Sequence, residues 1–350
     1  MTTPTLSDVA NYGNLVIAHA NAKRGKTHYK AVKSFEKKQT ELLKELEERL
    51  FSGTYRTSKY KLKIIQDSGK ERLIAKLPYF PDRVAHWAIM LQLEPIFLEQ
   101  FSPRSHAAIP NRGIHSALYQ TREVMLKHPE LKYCLKLDIR KYFPHIDHEI
   151  LKEKVRGLTS DPGLLELLDE NIDSYAEGVP IGNYTSQYWA NYYLTELDNW
   201  LTARGILHIR YMDDIVIFGK TAAELHELRK EIAVFLSERL KLEIKDNWQI
   251  FPVKVRGVDF AGYRAYPNRV LVRKSTFKRM RRKLALARRH LDAGQFGQRD
   301  QSRIASYVGW LKFCTPKVRA GLFKKYVVPL LEDLPPGYEK FTAKLYKNME

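Results

Sequence analysis

An α+β fold is the class this sequence predicts: a body of interleaved helices and strands, closed by a basic helical lobe. Three observations lead there. Strand-like runs of period-two alternation are interleaved with segments of helical periodicity through about residue 265. No internal repeat or long linker interrupts them. After Pro267 the character shifts to a helical run crowded with Lys and Arg.

Each element follows from its local pattern. HYKAVKSFEKKQTELLKELEERL (28–50) sets Phe35, Leu42, Leu43, Leu46 and Leu50 along one helical face. KYKLKIIQDSGKERLIAKL (59–77) reads as a hairpin of two alternating runs about Asp67-Ser68-Gly69. A helix follows from Asp82, its expected N-cap. YCLKLDI (133–139) alternates, with Leu135, Leu137 and Ile139 on one face and Lys136, Asp138 and Arg140 on the other. Pro144 stops that strand, and Asp147 is placed to cap the helix HEILKEKVRG. Beyond GVPIGN, TSQYWANYYLTELDNWL should be one helix from a Thr/Ser cap to Gly205. RYMDDIVIFG (210–219) reads as a second hairpin, followed by a helix over about 221–240 and strand-like runs to 262. In KSTFKRMRRKLALARRHL, Phe277, Met280, Leu284, Ala287 and Leu291 recur at steps of three and four. Lys274, Lys278, Arg279, Arg281, Arg282, Lys283, Arg288 and Arg289 cover the remaining surface of that helix. No His is expected to act in catalysis; His145, His148 and His208 are expected as caps or surface groups.

Composition narrows the function. The 350 residues carry 59 Lys+Arg against 40 Asp+Glu, a net charge of +19, which calls for a polyanionic partner. Between Ala261 and Glu350 lie 21 Lys/Arg and 6 Asp/Glu, so most of the excess sits in the last quarter. Cys134 and Cys314 make neither a disulfide framework nor a thiolate metal site, as expected of a reduced, cytoplasmic protein. MTTPTLSDVA is not a signal peptide, and no apolar run reaches membrane-spanning length. Nucleic-acid handling, enzymatic or purely structural, is what remains.

Three carboxylates carry chemistry. Asp138 falls on the polar face near the end of its strand, and Asp213 and Asp214 fall at a hairpin turn between apolar runs. If these strands are neighbours, the carboxylates converge, at a cost that a divalent cation would remove. Hard oxygen donors select Mg²⁺. A Tyr-x-Asp-Asp string alone is a weak signal, because Asp pairs are ordinary turn residues.

The order of the motifs is the stronger signal. KLDIRKYFPHIDHEIL, GVPIGNYTSQYWANYYLTELD and RYMDDIVIFG resemble, in sequence, the three catalytic palm motifs of reverse transcriptases. LKLEIKDNWQ and FAGYRAY resemble the two motifs that follow, the second being the primer grip, and KERLIAKLPYFPDRVAHWAI is similar to the fingers motif of bacterial members. The resemblance runs from about residue 55 to 315. It implies a right-hand polymerase fold: N-terminal helices and fingers over 1–125, palm over 126–265 with fingers elements near 145–185, and basic helical thumb over 266–350.

The same resemblance implies roles. Asp138 and Asp213 would ligate two catalytic Mg²⁺ ions, for which Mn²⁺ could substitute, with Asp214 completing the cluster. Lys70 and Arg72 would hold the triphosphate of the incoming dNTP; Phe143 would be the steric gate against a ribose 2′-hydroxyl. Ile181, Gly182 and Gln187 would face the nucleotide. Phe260, Gly262 and Tyr263 would form the primer grip, although a strand core uses similar residues. Lys274, Lys278, Arg281, Arg282 and Arg288 would follow the template–primer backbone. Arg83 and Arg112 are further candidates for phosphate, with plain surface charge as the alternative.

Within the family, Ile181 stands where most members carry Gln, and VRGVDFAGY replaces the Val-Thr-Gly signature of retron enzymes. Together with the short architecture after the thumb, this resembles the enzymes of diversity-generating retroelements. Those copy a template RNA with errors opposite adenine and work with a small helical-bundle accessory protein. Anti-phage defence reverse transcriptases, which copy a non-coding RNA, come next. A non-catalytic nucleic-acid-binding scaffold and a metal-dependent phosphodiesterase are the rival classes.

Overall fold

Residues 3–67 and 69–349 are described by a computed structural model, in which the chain divides into two units. The first comprises Met1–Asn111, Leu137–Ile206 and Glu227–Trp248; the second comprises Arg112–Lys136, Leu207–His226 and Gln249–Glu350.

In the first unit, helices bury one apolar face each. Val9, Leu15, Leu43, Leu46 and Ile89 are fully buried. Phe97, on helix Val84–Gln100, meets Phe101, Tyr188 and Tyr192 with ring centroids 5.0–5.8 Å apart. The helix expected over 28–50 is two, Lys30–Glu36 and Gln39–Phe51. The six residues between Phe35 and Leu42 are all polar and include Lys37, Lys38 and Gln39, so no apolar side chain holds the intervening turn to the core. The hairpin forms as expected: β1 (Lys61–Asp67) pairs antiparallel with β2 (Lys70–Lys76), Ile65 opposite Arg72. Its turn residue Ser68 and the side chain of Lys70 lie outside the described residues.

Asp82 is not an N-cap. It is fully buried, and its Oδ1 accepts from Tyr55 Oη at 3.0 Å and the Ser58 amide at 2.9 Å, so that oxygen serves these donors rather than a helix end. Asp147 does cap helix His148–Val155, accepting from the Ile150 amide at 3.0 Å. The helix expected after GVPIGN is interrupted at Leu194, giving Tyr184–Tyr193 and Thr195–Ala203. Its N-cap is Asn183, while Thr185 and Ser186 are buried inside the first turn.

The second unit holds two sheets. β3 (Tyr133–Asp138), β4 (His208–Tyr211), β5 (Asp214–Gly219) and β6 (Gln249–Pro252) form one, in the order β4-β5-β3-β6. β3 runs across the division, Tyr133–Lys136 lying in the second unit and Leu137 and Asp138 in the first. The continuous apolar run of β5 is explained by burial of Ile215, Val216, Ile217 and Phe218 alike. His208, expected as a cap or surface group, is fully buried on β4, where alternation and the neighbouring strand leave it no solvent face. β7 (Val258–Phe260), β8 (Tyr263–Ala265) and β9 (Val270–Val272) make a three-stranded antiparallel sheet. One core joins Ala117 and Leu118 of helix Ile114–Lys127 with Val216, Phe251, Phe260, Leu284 and Tyr307. Helix Lys274–Asp292 turns Met280, Leu284 and Ala287 inward, as its spacing requires.

That helix is anchored by an ion cluster around the buried Asp300. Burial pushes the Asp300 carboxyl up, but donation from His290 Nδ1 at 3.0 Å, the Gly297 amide at 3.3 Å and Arg303 outweighs it and holds Asp300 below the ordinary carboxylate range. A carboxyl depressed on folding stabilises the protein above its unfolded value, and that contribution is lost as pH falls through the folded one. The second unit of the wild type should therefore weaken below pH ~4. Asp300→Asn should unfold at lower urea concentration near neutrality and show a flatter acid limb in tryptophan-monitored denaturation; parallel curves would refute this.

Candidate active site

In the second unit, β4 and β5 present the Asp213-Asp214 turn. Tyr211 pairs with Asp214 in the antiparallel register, leaving Met212 and Asp213 as the connecting residues. Met212 has φ +58°, a left-handed conformation uncommon for a residue with a side chain. Arg210, fully buried, donates to the Met212 carbonyl at 3.1 Å and supports that turn from beneath. Lys136 Nζ lies 3.2 Å from Asp214 Oδ2 and donates to the Asp259 carbonyl at 2.6 Å. Tyr211, half-buried, has its hydroxyl pushed up by burial and stays neutral.

Asp138 in the first unit has its own lysine. Lys245 Nζ lies 3.4 Å from Asp138 Oδ2, and the Lys245 amide donates to the Asp138 carbonyl at 2.8 Å. The segment is held alongside by an Ile139–Ile244 bridge and by Arg140, whose guanidinium reaches Asp246 at 2.6 Å. Asp138 and Asp214 are each about a third exposed as side chains and each faces an ammonium, so both positions favour positive charge. Among the described residues no group of three or more His, Cys, Asp or Glu side chains gathers into a metal centre. The available donors are hard carboxylate oxygens reachable from solvent. That set fits a divalent cation that takes further ligands from water and phosphate.

Of the nucleotide candidates in the first unit, Ile181 and Gly182 lie against β2. The Ala75 amide of β2 donates to the Ile181 carbonyl at 3.0 Å. Gly182, at φ +123°, packs so tightly that a Cβ there would lie 2.8 Å from Ile74 Cγ2 and 3.0 Å from the Ala75 carbonyl oxygen. Only glycine allows β2, which carries Arg72, to approach this turn. Phe143 is half-buried in the short turn Phe143–His145, edge-on to Tyr142, and its carbonyl accepts from Val179 at 2.9 Å. The gate candidate and the Ile181 turn thus lie on one backbone-bonded segment. Gln187 is exposed and lines a cavity of about 440 Å³ with Asn21, Arg24, Trp87, Glu94 and Tyr184. Trp87 and Tyr184 stack there with centroids 4.0 Å apart. Arg83, half-buried, donates to the Ala22 carbonyl at 3.4 Å.

The primer-grip candidates differ from one another. Phe260 and Tyr263 are buried and face each other across β7–β8. Ala261 (φ +49°) and Gly262 (φ +86°) form the two-residue turn between them. Backbone, not aromatic surface, is what this turn exposes. Of the basic helix, Lys274, Lys278, Arg281 and Arg282 are exposed. Arg288 departs from the expectation: it pairs with Asp292 at 2.9 Å and with Asp333, and is engaged within the protein. Lys245 and the stacked Trp87 were not singled out from sequence. The signal for Lys136 was present, since alternation puts it on the face of Asp138.

Comparison with known proteins bears on this arrangement. Residues 57–264 match the family model described as "Reverse transcriptase (RNA-dependent DNA polymerase)". Protein YkfC of Escherichia coli K12 is 25% identical over 266 residues, covering 63% of this chain and 70% of that protein. The group II intron-encoded protein LtrA of Lactococcus lactis is 26% identical over 212 residues, covering 57% of this chain and 34% of that protein. This chain thus spans about a third of LtrA's length. A telomerase structure from Candida albicans, solved with a fragment of telomeric RNA, superposes with a TM-score of 0.51 at 11% identity, covering 84% of this chain and 60% of that one. The likeness at that identity is one of fold, the right-hand polymerase fold. With more than half of its length matched by the family model, the chain belongs to the reverse transcriptase family.

Proposed function

We propose that the protein is an RNA-directed DNA polymerase that copies a dedicated template RNA into cDNA. The observation that carries the reading is the Asp213-Asp214 turn with Lys136 beneath it. β3 continues from Lys136 to Asp138 on the same face, so the strand that reaches Asp214 also bears the third carboxylate. Asp138 and Asp213 would hold two Mg²⁺ ions, or Mn²⁺ in their place, with Asp214 completing the set. A cation held there supplies Lewis acidity toward a primer 3′-hydroxyl and charge to offset leaving pyrophosphate.

The chain's own groups do the positioning. Arg72 offers a planar fork to the triphosphate of a dNTP, beside the Ile181–Gly182 turn. Phe143 stands in the same backbone-bonded segment, where a bulky ring discriminates against a ribose 2′-hydroxyl. The stacked Trp87–Tyr184 wall and Arg24 of the first unit suit a single-stranded template, whose bases stack and whose phosphates need cations. The exposed row Lys274, Lys278, Arg281 and Arg282 suits the phosphates of the duplex. In a fingers–palm–thumb division at about residues 125 and 265, Arg24, Arg72 and Trp87 would belong to the fingers, Phe143, Ile181 and Tyr184 to the palm range, and Lys274, Lys278, Arg281 and Arg282 to the thumb.

Biologically, the reading is an error-prone enzyme of a diversity-generating retroelement, working with a small helical-bundle protein. Ile181 supports it: an apolar side chain at this turn cannot hydrogen-bond the incoming nucleotide and loses discrimination. Ile181→Gln should lower misincorporation opposite template adenine by ~10-fold in sequenced primer-extension products; an unchanged error spectrum would count against it. The same turn suits an anti-phage enzyme copying a non-coding RNA. Sequencing the RNA and cDNA that co-purify separates the two. Adenine-directed substitutions support the retroelement, and a faithful copy of one structured RNA supports defence. Absence of dNTP incorporation on any primed RNA would refute the polymerase reading itself.

A further inference from the structure

We infer that Lys136 is a positioning residue that ties the Asp213-Asp214 turn to the strand entering the Phe260–Tyr263 turn and, through Asp259, to the start of the basic helix. The inference rests on the reading of these carboxylates as a metal-holding set. Lys136 Nζ spans two elements, 3.2 Å from Asp214 Oδ2 and 2.6 Å from the carbonyl oxygen of Asp259 on β7. The Asp259 carboxylate continues the chain: it pairs with Arg273 and lies 3.6 Å from Arg264. Arg273 is the N-cap residue of helix Lys274–Asp292, and its amide donates to the Gly262 carbonyl at 3.0 Å. Turn, β7, β8 and basic helix are therefore joined by five polar contacts within one unit.

Charge and geometry give this chain two effects. The carbonyl of Asp259 fixes the ammonium from one side, so Lys136 holds Asp214 in place instead of trailing it as a surface lysine would. The Lys136 side chain is only 24% exposed, which limits the solvent screening that makes surface pairs weak. Secondly, an internal cation on Asp214 leaves that carboxylate less available to a divalent ion. Metal then falls to Asp138 and Asp213, and Asp214 sets the pose of the turn. Because the same ammonium is bonded to β7, the pose is referenced to the turn of Phe260 and Tyr263, where the primer end is read. A displacement of about 1 Å at such a centre costs on the order of 10²-fold in rate.

The test compares Lys136→Met, which keeps length without charge, with Lys136→Arg, each in wild-type and Asp214→Asn backgrounds. Mn²⁺ binding is read by electron paramagnetic resonance on the protein alone, and kcat and template–primer Kd by single-nucleotide extension. Lys136→Met should lower kcat by ~10- to 100-fold, leave template–primer Kd within about two-fold, and tighten Mn²⁺ binding severalfold. Lys136→Arg should restore most of kcat. In the Asp214→Asn background the effect of Lys136→Met on both readouts should vanish, since the group it acts through is gone. Equal loss in both backgrounds, or unchanged Mn²⁺ binding in Lys136→Met, overturns the assignment. Should Lys136→Met fail to fold, Asp214→Asn alone decides. Mn²⁺ affinity near that of wild type supports an internally neutralised Asp214, and a severalfold loss overturns it. Failure of the underlying metal reading looks different: Asp213→Ala would then keep both Mn²⁺ affinity and incorporation.

Discussion

Asp213→Ala is expected to reduce nucleotide incorporation on a primed RNA by ~10³-fold or more, with folding intact. The residue lies in the two-residue connection of β4 and β5, half-exposed and outside the buried core of its unit. Removing a turn carboxylate at such a position typically changes stability by no more than ~0.5 kcal/mol. Its effect on chemistry is of another order. On the proposed reading, the site would lose without it both a hard oxygen donor and a negative charge offered to a cation. Single-turnover extension at saturating template–primer, beside a circular dichroism melt, checks both halves. Incorporation at the wild-type rate would remove Asp213 from the catalytic machinery, and a collapsed melt would mean that the turn supports folding instead.

Gly182→Ala carries the second largest expected effect, and it acts through geometry alone. The backbone at Gly182 has φ +123°, which side-chain-bearing residues rarely adopt. The added methyl would also lie 2.8 Å from Ile74 Cγ2 and 3.0 Å from the Ala75 carbonyl oxygen. Backbone strain of this kind costs ~1–3 kcal/mol, and overpacking costs a similar amount. The overpacking against the Ala75 carbonyl is relieved by parting β2 from the turn, which would break the Ala75–Ile181 bond and move Arg72. The dNTP KM should rise by ~10-fold or more while template–primer Kd stays within two-fold. A variant with wild-type KM would show that the close approach of β2 is not needed for nucleotide binding.

Local pattern made much of this fold legible. The alternation of YCLKLDI gave β3 with Leu135 and Leu137 buried, and RYMDDIVIFG became the β4–β5 hairpin with its aspartates at the turn. Asp147 capped the helix it precedes. What escaped depends on contacts distant in sequence. Asp82 has the spacing of a cap, yet Tyr55 and Ser58 claim its carboxylate. His208 looked like a surface group because no strand partner is visible from its neighbours in sequence. Phe260 and Tyr263 matched a recognition motif by identity, but the core took their side chains and left the turn backbone outside. Arg288 counted as one more cation in a basic run until Asp333, far along the chain, paired with it. Lys245 could not be connected to Asp138 without the bridge at Ile244.

The β1–β2 hairpin has a consequence for kinetics. It is a two-stranded ribbon with Leu62, Ile64 and Leu73 exposed, so little apolar burial supports it beyond its own ladder and the bond from Ala75 to Ile181. An isolated ribbon of this kind is only marginally stable in water, and its local opening free energy lies well below that of the helical body. On the proposed reading, a triphosphate that meets Arg72 orders the ribbon that carries it. Part of the binding free energy then goes into ordering, so affinity is held down and dissociation is fast. An enzyme that must release pyrophosphate and admit a new nucleotide at every step gains turnover from that compromise.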